Sequence, residues 1–461
     1  MNAAKSFIKK LGRSYCAQRA AQHLGLGPEC WGMTYQDNTL VYGSTAMSSV
    51  LRDWGSPLHV ILPDKLLENL AAFQSPGLEV FYSYKTNPLP WVFTQLHQHG
   101  AGAEVISAYE LWLALRLGVA PHLIIYNGPA KSEASLRTAI ESGIASINAN
   151  NLEELENISA LAFSMGKVAN IGIRITSMQG WTGQFGFPVE DGSALAAFQR
   201  ALELPALNVV TLHCHRGTLI HDVPTLRRHL DFMLDFAQRL NTSMSWWPQL
   251  LDVGGSLGIP TARHLSARER QLASTFLLPP SAPDPKASVS PDVYARCVVD
   301  TVRQRCATCG LPPPRLISEV GRSLTGNAQM LLSTVQNKRQ GSDFDYTVMD
   351  AGVSVASIVT SEYHELLPLQ INIGPKRCHR VVGPICHMGD TLYLASYQPP
   401  LLKGDAVAIM DAGAYFIADA ASFSFAQPAV VALYGDGRQT LVRRAESFEH
   451  MISLDAGMPS N

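Results

Sequence analysis

A single lysine follows a short apolar and aromatic run in the first quarter of the chain. Residues 80–84 read Val-Phe-Tyr-Ser-Tyr, and Lys85 is followed by Thr86 and the turn residues Asn87 and Pro88. This pattern predicts a buried strand with one amine at its carboxyl end. Desolvation there would make the amine a nucleophile toward an aldehyde. The alternative is a lysine that reaches out to water.

Apolar strands and amphipathic helices alternate on both sides of this lysine. The predicted strands are the run before Lys85 and residues 103–107, 123–127, 146–149, 170–175, 209–215, 250–254 and 315–319. Eight such units predict a closed parallel (β/α)8 barrel of the α/β class. A doubly wound open sheet is the alternative, but no glycine-rich phosphate turn follows the first strand.

The pattern changes after Ser323. Residues 346–350, 407–410 and 429–433 are short β-branched or apolar runs divided by Gly and Pro, which predicts a separate β domain. The predicted domains are a helical extension at 1–30, strands at 31–57 that pack with the C-terminal β domain, a barrel at 58–322 and the β domain at 323–461.

The carboxyl ends of the predicted strands carry polar residues and glycines, where a barrel places its working groups. They are Lys85, His215, Thr218, Gly254, Gly255, Glu319, Gly321 and Arg322. Glycines let backbone N–H groups surround a phosphate, to which Thr218 or Arg322 could add contacts. Glu319 could keep a pyridine nitrogen protonated, and His215 could lie against the ring. Each residue alone has an ordinary structural role, but together they predict a site for pyridoxal 5'-phosphate (PLP).

Seven stretches match, in order, the motifs of the fold-type III PLP-dependent decarboxylases. They are residues 81–88, 102–111, 212–218, 251–258, 318–323, 383–390 and 411–415. The chain resembles diaminopimelate decarboxylases most, and ornithine decarboxylases more distantly, from about residue 31 to about residue 444. The resemblance implies the fold of alanine racemase-like proteins, a barrel with a separate β domain.

The resemblance also implies roles for individual residues. Lys85 would carry PLP, His215 would stack on it and Glu319 would hold its ring nitrogen. The implied contacts to the cofactor's phosphate region are Thr218, Gly255, Gly321, Arg322 and Tyr415. Cys386 would act as the acid after loss of CO2, supplied across the interface of a homodimer.

The substrate segments depart from the family pattern. His387 stands where diaminopimelate decarboxylases have a glutamate, residues 350–357 read Asp-Ala-Gly-Val-Ser-Val-Ala-Ser, and residues 183–186 read Gly-Gln-Phe-Gly. His387 and Asp390 are the predicted substrate contacts. A cationic run lies just upstream, formed by Lys376, Arg377, His379 and Arg380.

These charges favour a substrate with an anionic distal group, such as a citryl-amino acid of siderophore biosynthesis. The alternatives are meso-diaminopimelate as substrate, with the charges on a solvated edge strand, and a PLP-binding relative without turnover. A racemase is disfavoured by Glu319, because alanine racemase-like chains place a cation at the ring nitrogen.

Composition excludes several other classes of protein. The 461 residues are 46% hydrophobic, and the formal net charge of -2 offers no field for nucleic acid or an anionic membrane. No apolar run approaches the roughly 20 residues of a membrane span, and a cytoplasmic enzyme is expected. Eight dispersed cysteines do not suggest a disulfide framework. The Cys306 and Cys309 pair stands alone, so no metal site is predicted.

Overall fold

The computed structural model describes residues 12, 13, 15, 25–178, 183–217 and 220–457. The chain forms two compact units. One contains the described residues of Met1–Leu66, Ile259–Lys286 and Thr325–Asn461, and the other contains those of Leu67–Gly258 and Ala287–Leu324. The helical extension predicted for residues 1–30 lies mostly outside the described residues.

The secondary structure follows the alternation expected from the sequence. The strands are β1 (Met33–Gln36), β2 (Thr39–Tyr42), β3 (Thr45–Ala46), β4 (Leu58–Ile61), β5 (Leu78–Ser83), β6 (Gly102–Val105), β7 (Ile124–Tyr126), β8 (Ser146–Ala149), β9 (Ala169–Thr176), β10 (Phe187–Pro188), β11 (Leu207–Cys214), β12 (Leu250–Asp252), β13 (Arg315–Val320), β14 (Gln329–Arg339), β15 (Asp345–Met349), β16 (Leu366–Pro368), β17 (Arg377–Val382), β18 (Thr391–Gln398), β19 (Ala406–Ile409), β20 (Ala429–Leu433) and β21 (Gln439–Arg443). The α-helices are α1 (Met47–Trp54), α2 (Pro63–Ala72), α3 (Pro90–Gln98), α4 (Ala108–Arg116), α5 (Glu133–Ser142), α6 (Leu152–Ser164), α7 (Ser193–Glu203), α8 (Val223–Met244), α9 (Ala267–Phe276), α10 (Pro291–Cys309), α11 (Arg322–Thr325), α12 (Val353–Ala356) and α13 (Phe448–Met451).

The second unit is the predicted barrel. Among the described residues, eight parallel strands pair in the order β5, β6, β7, β8, β9, β11, β12, β13, and β13 pairs with β5 to close the ring. The prediction of a (β/α)8 barrel is confirmed. Several of its helices begin where a short polar residue caps the chain: Ser107, Ser132, Asn151 and Asp222 each accept a hydrogen bond from the backbone N–H three residues on.

The side chains inside the barrel change from apolar to polar along the strands. An apolar cluster is formed by Phe81, Ile125, Ala145, Val210, Leu250 and Ile317. Nearer the carboxyl ends, Glu104, Asn127, His213, Asp252 and Glu319 are buried. Because side chains alternate sides along a strand, residues two apart enter the same space, which places His213 and His215 on one side of β11. A buried polar layer of this kind must satisfy its own hydrogen bonds.

The first unit is built on β-sheets. One sheet has the path β18, β17, β15, β14, β4, β20, β21, with β19 beside β14 and β16 beside β19. A smaller sheet of β1 to β3 joins it through Leu40 N–H, which donates to Leu369 O (2.9 Å). Trp31, Leu58 and Val431 lie in the core of this unit. The separate β domain is confirmed.

Two expectations change in this unit. β4 begins at Leu58, where the barrel was expected to begin, but it pairs with β14 and β20 of the β unit, so the compact barrel unit starts at Leu67. β17 was considered as a solvated edge strand, yet it pairs with β15 on one side and β18 on the other. No helix in the described part of the chain is both long and apolar enough to cross a membrane.

Candidate active site

Lys85 occupies a short 3-10 turn directly after β5. The preceding residue, Tyr84, is buried and stacks on Phe93 with ring centroids 3.7 Å apart, which fixes the turn and directs the next side chain the other way. The side chain of Lys85 is 41% exposed, and its Nζ lies 3.6 Å from Oε2 of Glu104. The predicted position is correct, but the predicted desolvation is not seen, because Nζ is half open and paired with a carboxylate.

A chain of buried hydrogen bonds leads from Glu104 into the barrel. Ser83 Oγ donates to Glu104 Oε2 (2.5 Å), and Asn127 Nδ2 donates to Glu104 Oε1 (2.9 Å). The same Asn127 Nδ2 donates to Oε1 of Glu319, while its Oδ1 accepts from Asn148 Nδ2 (2.8 Å). With its amide orientation fixed at both ends, Asn127 links the carboxylate beside Lys85 to Glu319.

Glu319 is the carboxylate at the end of β13 and is buried. Its Oε2 lies 3.4 Å from His213 Nε2 and 3.9 Å from His215 Nδ1. Burial acts to raise the pKa of Glu319, but His213, then His215 and Asp252, outweigh burial and leave that pKa below its usual range. Glu319 is therefore an anion held inside the barrel.

The imidazole of His215 is neutral and has a defined tautomer. Burial lowers the pKa of His215 to about 3, with Glu319 acting in the opposite direction and the cation of Lys85 adding to the effect. Gly255 N–H donates to Nδ1 (3.2 Å), and Nε2 lies 3.4 Å from Ser256 Oγ. Since Nδ1 accepts a hydrogen bond, the ring proton is on Nε2.

The glycines at the strand ends are required by close backbone approaches. Gly254 has φ +69°, and a Cβ there would lie 2.8 Å from Cys214 O. A Cβ on Gly255 would lie 2.1 Å from Glu319 O, and one on Gly321 would lie 2.2 Å from Thr86 Oγ1. The glycine turn and the residue after β13 thus pack directly against Glu319 and the Lys85 turn.

Lys131 is a second lysine near the barrel's carboxyl ends, after β7. Its Nζ donates to Gly128 O, Asn148 O and Glu154 Oε1 at 2.6 to 2.8 Å. Burial lowers the pKa of Lys131, and Glu154 opposes that shift. All three N–H donors of the ammonium group make hydrogen bonds, so Lys131 stabilises the strand ends. It is not available as a nucleophile.

The other residues predicted to contact the cofactor are divided between the barrel unit and the β unit. Arg322 is half-buried at the start of α11, directly after Gly321. Thr218 lies outside the described residues. Tyr415 lies in the β unit, in a turn after β19 with φ +68°. Asp411 anchors the start of that turn by accepting hydrogen bonds from Trp31 Nε1 (2.7 Å) and Thr261 Oγ1 (2.8 Å).

The loop before β18 carries the remaining three predicted residues. Cys386 and His387 are exposed, and His387 Nδ1 accepts from Gly389 N–H (3.1 Å). Asp390 is buried, and its carboxylate accepts from the backbone N–H groups of Val353 and Ile385 (both 2.8 Å). Both of its oxygens therefore hold the loop together, and its role in substrate binding stays a prediction.

The cationic run upstream of this loop is partly engaged within the β unit. Arg377 pairs with the buried Asp345 (3.2 Å), and Arg380 lies over the ring of Phe344 (4.5 Å). Burial, helped by the cation of Lys338, lowers the pKa of His379 to about 4, so its imidazole is neutral. Lys376 and Arg377 stay exposed, so only this end of the predicted cationic run presents charge to solvent.

Comparison with known proteins places this arrangement in a family. The sequence profile described as "Pyridoxal-dependent decarboxylase, pyridoxal binding domain" matches residues 64–326, more than half of the chain. The chain belongs to the pyridoxal-dependent decarboxylases. It is therefore a PLP-dependent carboxy-lyase, as the ordered motifs implied.

Relatives of this decarboxylase extend over nearly the whole chain. A diaminopimelate decarboxylase of Aquifex aeolicus is 27% identical over 442 residues, covering 92% of this chain and 97% of the relative. One of Archaeoglobus fulgidus is 28% identical over 437 residues, covering 90% and 96%. A crystal structure from Aquifex aeolicus, 27% identical, has a TM-score of 0.78 and covers 92% of this chain and 98% of that one.

The fold likeness extends to more distant structures. The diaminopimelate decarboxylase structure from M. jannaschii has a TM-score of 0.81 at 24% identity, covering 93% of this chain and 98% of that one. This similarity supports the assignment to fold type III, with its barrel and separate β domain.

The residues of this decarboxylase's barrel fit PLP. An amine at the end of β5, a buried anion at the end of β13, a neutral imidazole and a glycine turn at the end of β12 meet at the same barrel face. This donor set matches the aldehyde, ring nitrogen, ring face and phosphate of PLP respectively.

Sequence reasoning missed the residues that support this set. Asn127, Asn148, Asp252 and His213 were not singled out, although Asp252 and His213 lie inside quoted motifs. The signal that could have found them is the two-residue period of a strand, since His213 shares a face with His215. Asn127 ends its predicted strand and Asn148 is the last residue but one of its strand, and a polar residue there is unusual in a buried strand.

Proposed function

We propose that this decarboxylase converts meso-diaminopimelate to L-lysine. The observation that carries the proposal is the match to diaminopimelate decarboxylases over 90 to 92% of the chain and 96 to 97% of the relatives. A match of this extent includes the substrate-side segments of the β unit as well as the cofactor barrel. Meso-diaminopimelate thus replaces the amino-acid conjugate with an anionic distal group as the leading candidate substrate.

Within the barrel, each residue has a distinct task. Bound PLP supplies the conjugated electron acceptor that loss of CO2 requires. Lys85 would hold the cofactor covalently, and the ionised Glu319 would accept a hydrogen bond from the ring nitrogen and keep it protonated. The neutral His215 would cover the ring without adding a competing positive charge. Gly255 and Arg322 would contribute to the phosphate end.

A cavity in the β unit is lined by two carboxyl groups that favour a substrate with a distal ammonium group, and by the cation of Arg270. It has a volume of about 250 Å³ and is lined by Glu362, Glu365, Gly389 and Thr391, among others. Glu362 is buried, with His264 Nδ1 at 3.4 Å and His364 Nε2 at 3.6 Å from its two oxygens. Gly389 belongs to the loop where His387 replaces the relatives' glutamate, so carboxylates from a neighbouring segment line the space instead.

A second candidate is an amino-acid conjugate with an anionic distal group. Only His387, exposed beside Cys386, favours it, because a glutamate at that position would repel a carboxylate. The other basis for this candidate, the cationic run, is weakened because Arg377 pairs with Asp345 and Arg380 lies over Phe344.

We also propose a homodimer whose sites each use Cys386 of the other subunit. Cys386 is exposed, and the adjacent Met388 is 98% exposed, an apolar group that a second chain would cover. In this arrangement the thiol supplies the proton that replaces CO2 on the substrate's Cα.

A substrate panel tests the proposal. CO2 release is measured from meso-diaminopimelate, lysine, ornithine and a citryl-diamino acid conjugate, with PLP in excess. We expect diaminopimelate to give the highest kcat/KM, and L-lysine to appear in a one-to-one ratio with CO2. Preferential turnover of the conjugate would establish the second candidate, and no CO2 from any compound would favour a binding protein without turnover.

A further inference from the structure

Asp252 is a fully buried carboxylic acid directly behind Glu319. It ends β12, in register with His213 on β11 and Ile317 on β13. Glu319 is two residues beyond Ile317 and so faces the same side of β13. One side-chain nitrogen of His213 and one carboxylate oxygen each of Asp252 and Glu319 lie within 4.8 Å of one another.

Glu319 has more side-chain hydrogen-bond donors around its carboxylate than Asp252 has. Glu319 accepts from Asn127 Nδ2 and has His213 Nε2 at 3.4 Å. For Asp252, Oδ1 accepts from Gly254 N–H (3.0 Å), whereas Oδ2 has no hydrogen-bond donor among the described residues. Two carboxylates this close in a buried site do not both ionise, and the one with fewer donors keeps the proton.

Resting on the role proposed for Glu319, we propose that Asp252 is a neutral carboxylic acid whose O–H donates a hydrogen bond to the carboxylate of Glu319, with the proton staying on Asp252. It thereby keeps Glu319 ionised and aimed at the cofactor's ring nitrogen. Asp252 Oδ1 also accepts a hydrogen bond from Gly254 N–H and so holds the glycine turn. One side chain would therefore position both Glu319, for the ring nitrogen of PLP, and the turn, for its phosphate.

The electrostatics agree with this geometry. Burial, followed by the charge of Glu319, raises the pKa of Asp252 well above its usual range, while the pKa of Glu319 is lowered. Asp252 touches no reacting atom in this scheme and is a positioning residue. Its effect reaches the cofactor only through Glu319 and the glycine turn.

The decisive comparison is between Asp252→Asn and Asp252→Leu. An asparagine reproduces the neutral acid, because its NH2 can donate to Glu319 and its carbonyl can accept from Gly254. We expect Asp252→Asn to keep PLP affinity within about threefold of the wild type. Leucine fills the space but lacks both groups, and we expect about 10- to 100-fold weaker PLP binding, the usual effect of losing a buried bond to a charged group.

PLP affinity is measured by titrating apoprotein and following fluorescence and the visible absorbance of bound cofactor. Circular dichroism confirms that each variant is folded, and Asp300→Asn, an exposed carboxylate on α10, is the matched control. Infrared spectroscopy of the wild-type protein should show the C=O stretch of a protonated carboxyl group that Asp252→Asn removes. None of these measurements depends on which amino acid is the substrate.

Several outcomes would overturn the inference. If Asp252→Asn loses PLP as severely as Asp252→Leu, Asp252 acts as an anion. If Asp252→Leu binds PLP as the wild type does, Asp252 has no positioning role. One equivalent of bound metal in purified protein, lost in Asp252→Asn, would show that the three groups hold a cation instead of a shared proton.

Discussion

Nζ of Lys85 and Oε2 of Glu104 lie 3.6 Å apart at the mouth of the barrel, and Glu104 is nearly inaccessible to solvent while Lys85 is not. The pair connects the half-exposed amine to the buried network of Asn127 and Glu319. A residue on β6 therefore orients the Lys85 amine in the turn after β5, and the electrostatics of this amine and of the Glu319 carboxylate are coupled through one amide.

Lys85→Ala should abolish covalent attachment of PLP, because Lys131, the other lysine near the strand ends among the described residues, has its ammonium group fully hydrogen-bonded. Borohydride reduction of the holoenzyme followed by peptide mass analysis locates the attached cofactor. Lys131→Met is the matched control: it should keep attached PLP yet lose about 3 kcal/mol of stability, since Glu154 is left buried without its partner. Cofactor reduced onto Lys131 in the wild type would refute the assignment.

Glu319→Gln should retain bound PLP but lower kcat by orders of magnitude, since a neutral amide cannot keep the ring nitrogen protonated. Steady-state CO2 release and cofactor content are measured on the same preparation. Full activity at full cofactor occupancy would remove the electron-sink argument. Glu141→Gln, an exposed glutamate on α5, controls for the loss of a carboxylate elsewhere on the barrel unit.

Mixed dimers should regain activity if sites are shared. Lys85→Ala and Cys386→Ala chains, each inactive alone, should give up to roughly a quarter of wild-type activity after random reassortment, because one of the two sites in a heterodimer is intact. Differently tagged chains and tandem purification verify the mixed species. Verified heterodimers that stay inactive would contradict supply of Cys386 by the other subunit.

Glu110 should make stability fall as pH rises through the range between 4.5 and 7. Burial raises its pKa to about 7, the charge of Glu104 adds to this, and Ile106 N–H and Lys85 oppose it. A carboxyl group whose pKa is raised on folding binds more protons in the native state, so its contribution is full below pH 4.5 and is lost as pH approaches 7.

Glu110→Gln should remove that slope, up to about 3 kcal/mol between pH 4.5 and 7. The measurement is urea unfolding of the wild type and the variant across this range. Parallel pH profiles for the two proteins would show that Glu110 ionises at its ordinary pKa.

The sequence determined the barrel, and it predicted the cofactor and candidate residues for it, because those signals are local. Each strand and helix carries its own periodicity, and Lys85, His215, Gly255 and Glu319 end strands whose carboxyl ends must meet in any parallel barrel. The family motifs are contiguous stretches, so PLP and decarboxylation could be predicted from them without knowing any contact.

Only the tertiary structure decided which polar groups are already satisfied. The sequence did not show that Asp390 and Arg377 have partners within the chain, because folding brings Ile385, Val353 and Asp345 to them. The assignment of β4 to the β unit depends on β14 and β20, far along the chain. The protonation of Asp252 likewise depends on folding, since its burial and the charge of Glu319, 67 positions away in the chain, raise its pKa only when both groups lie inside the barrel.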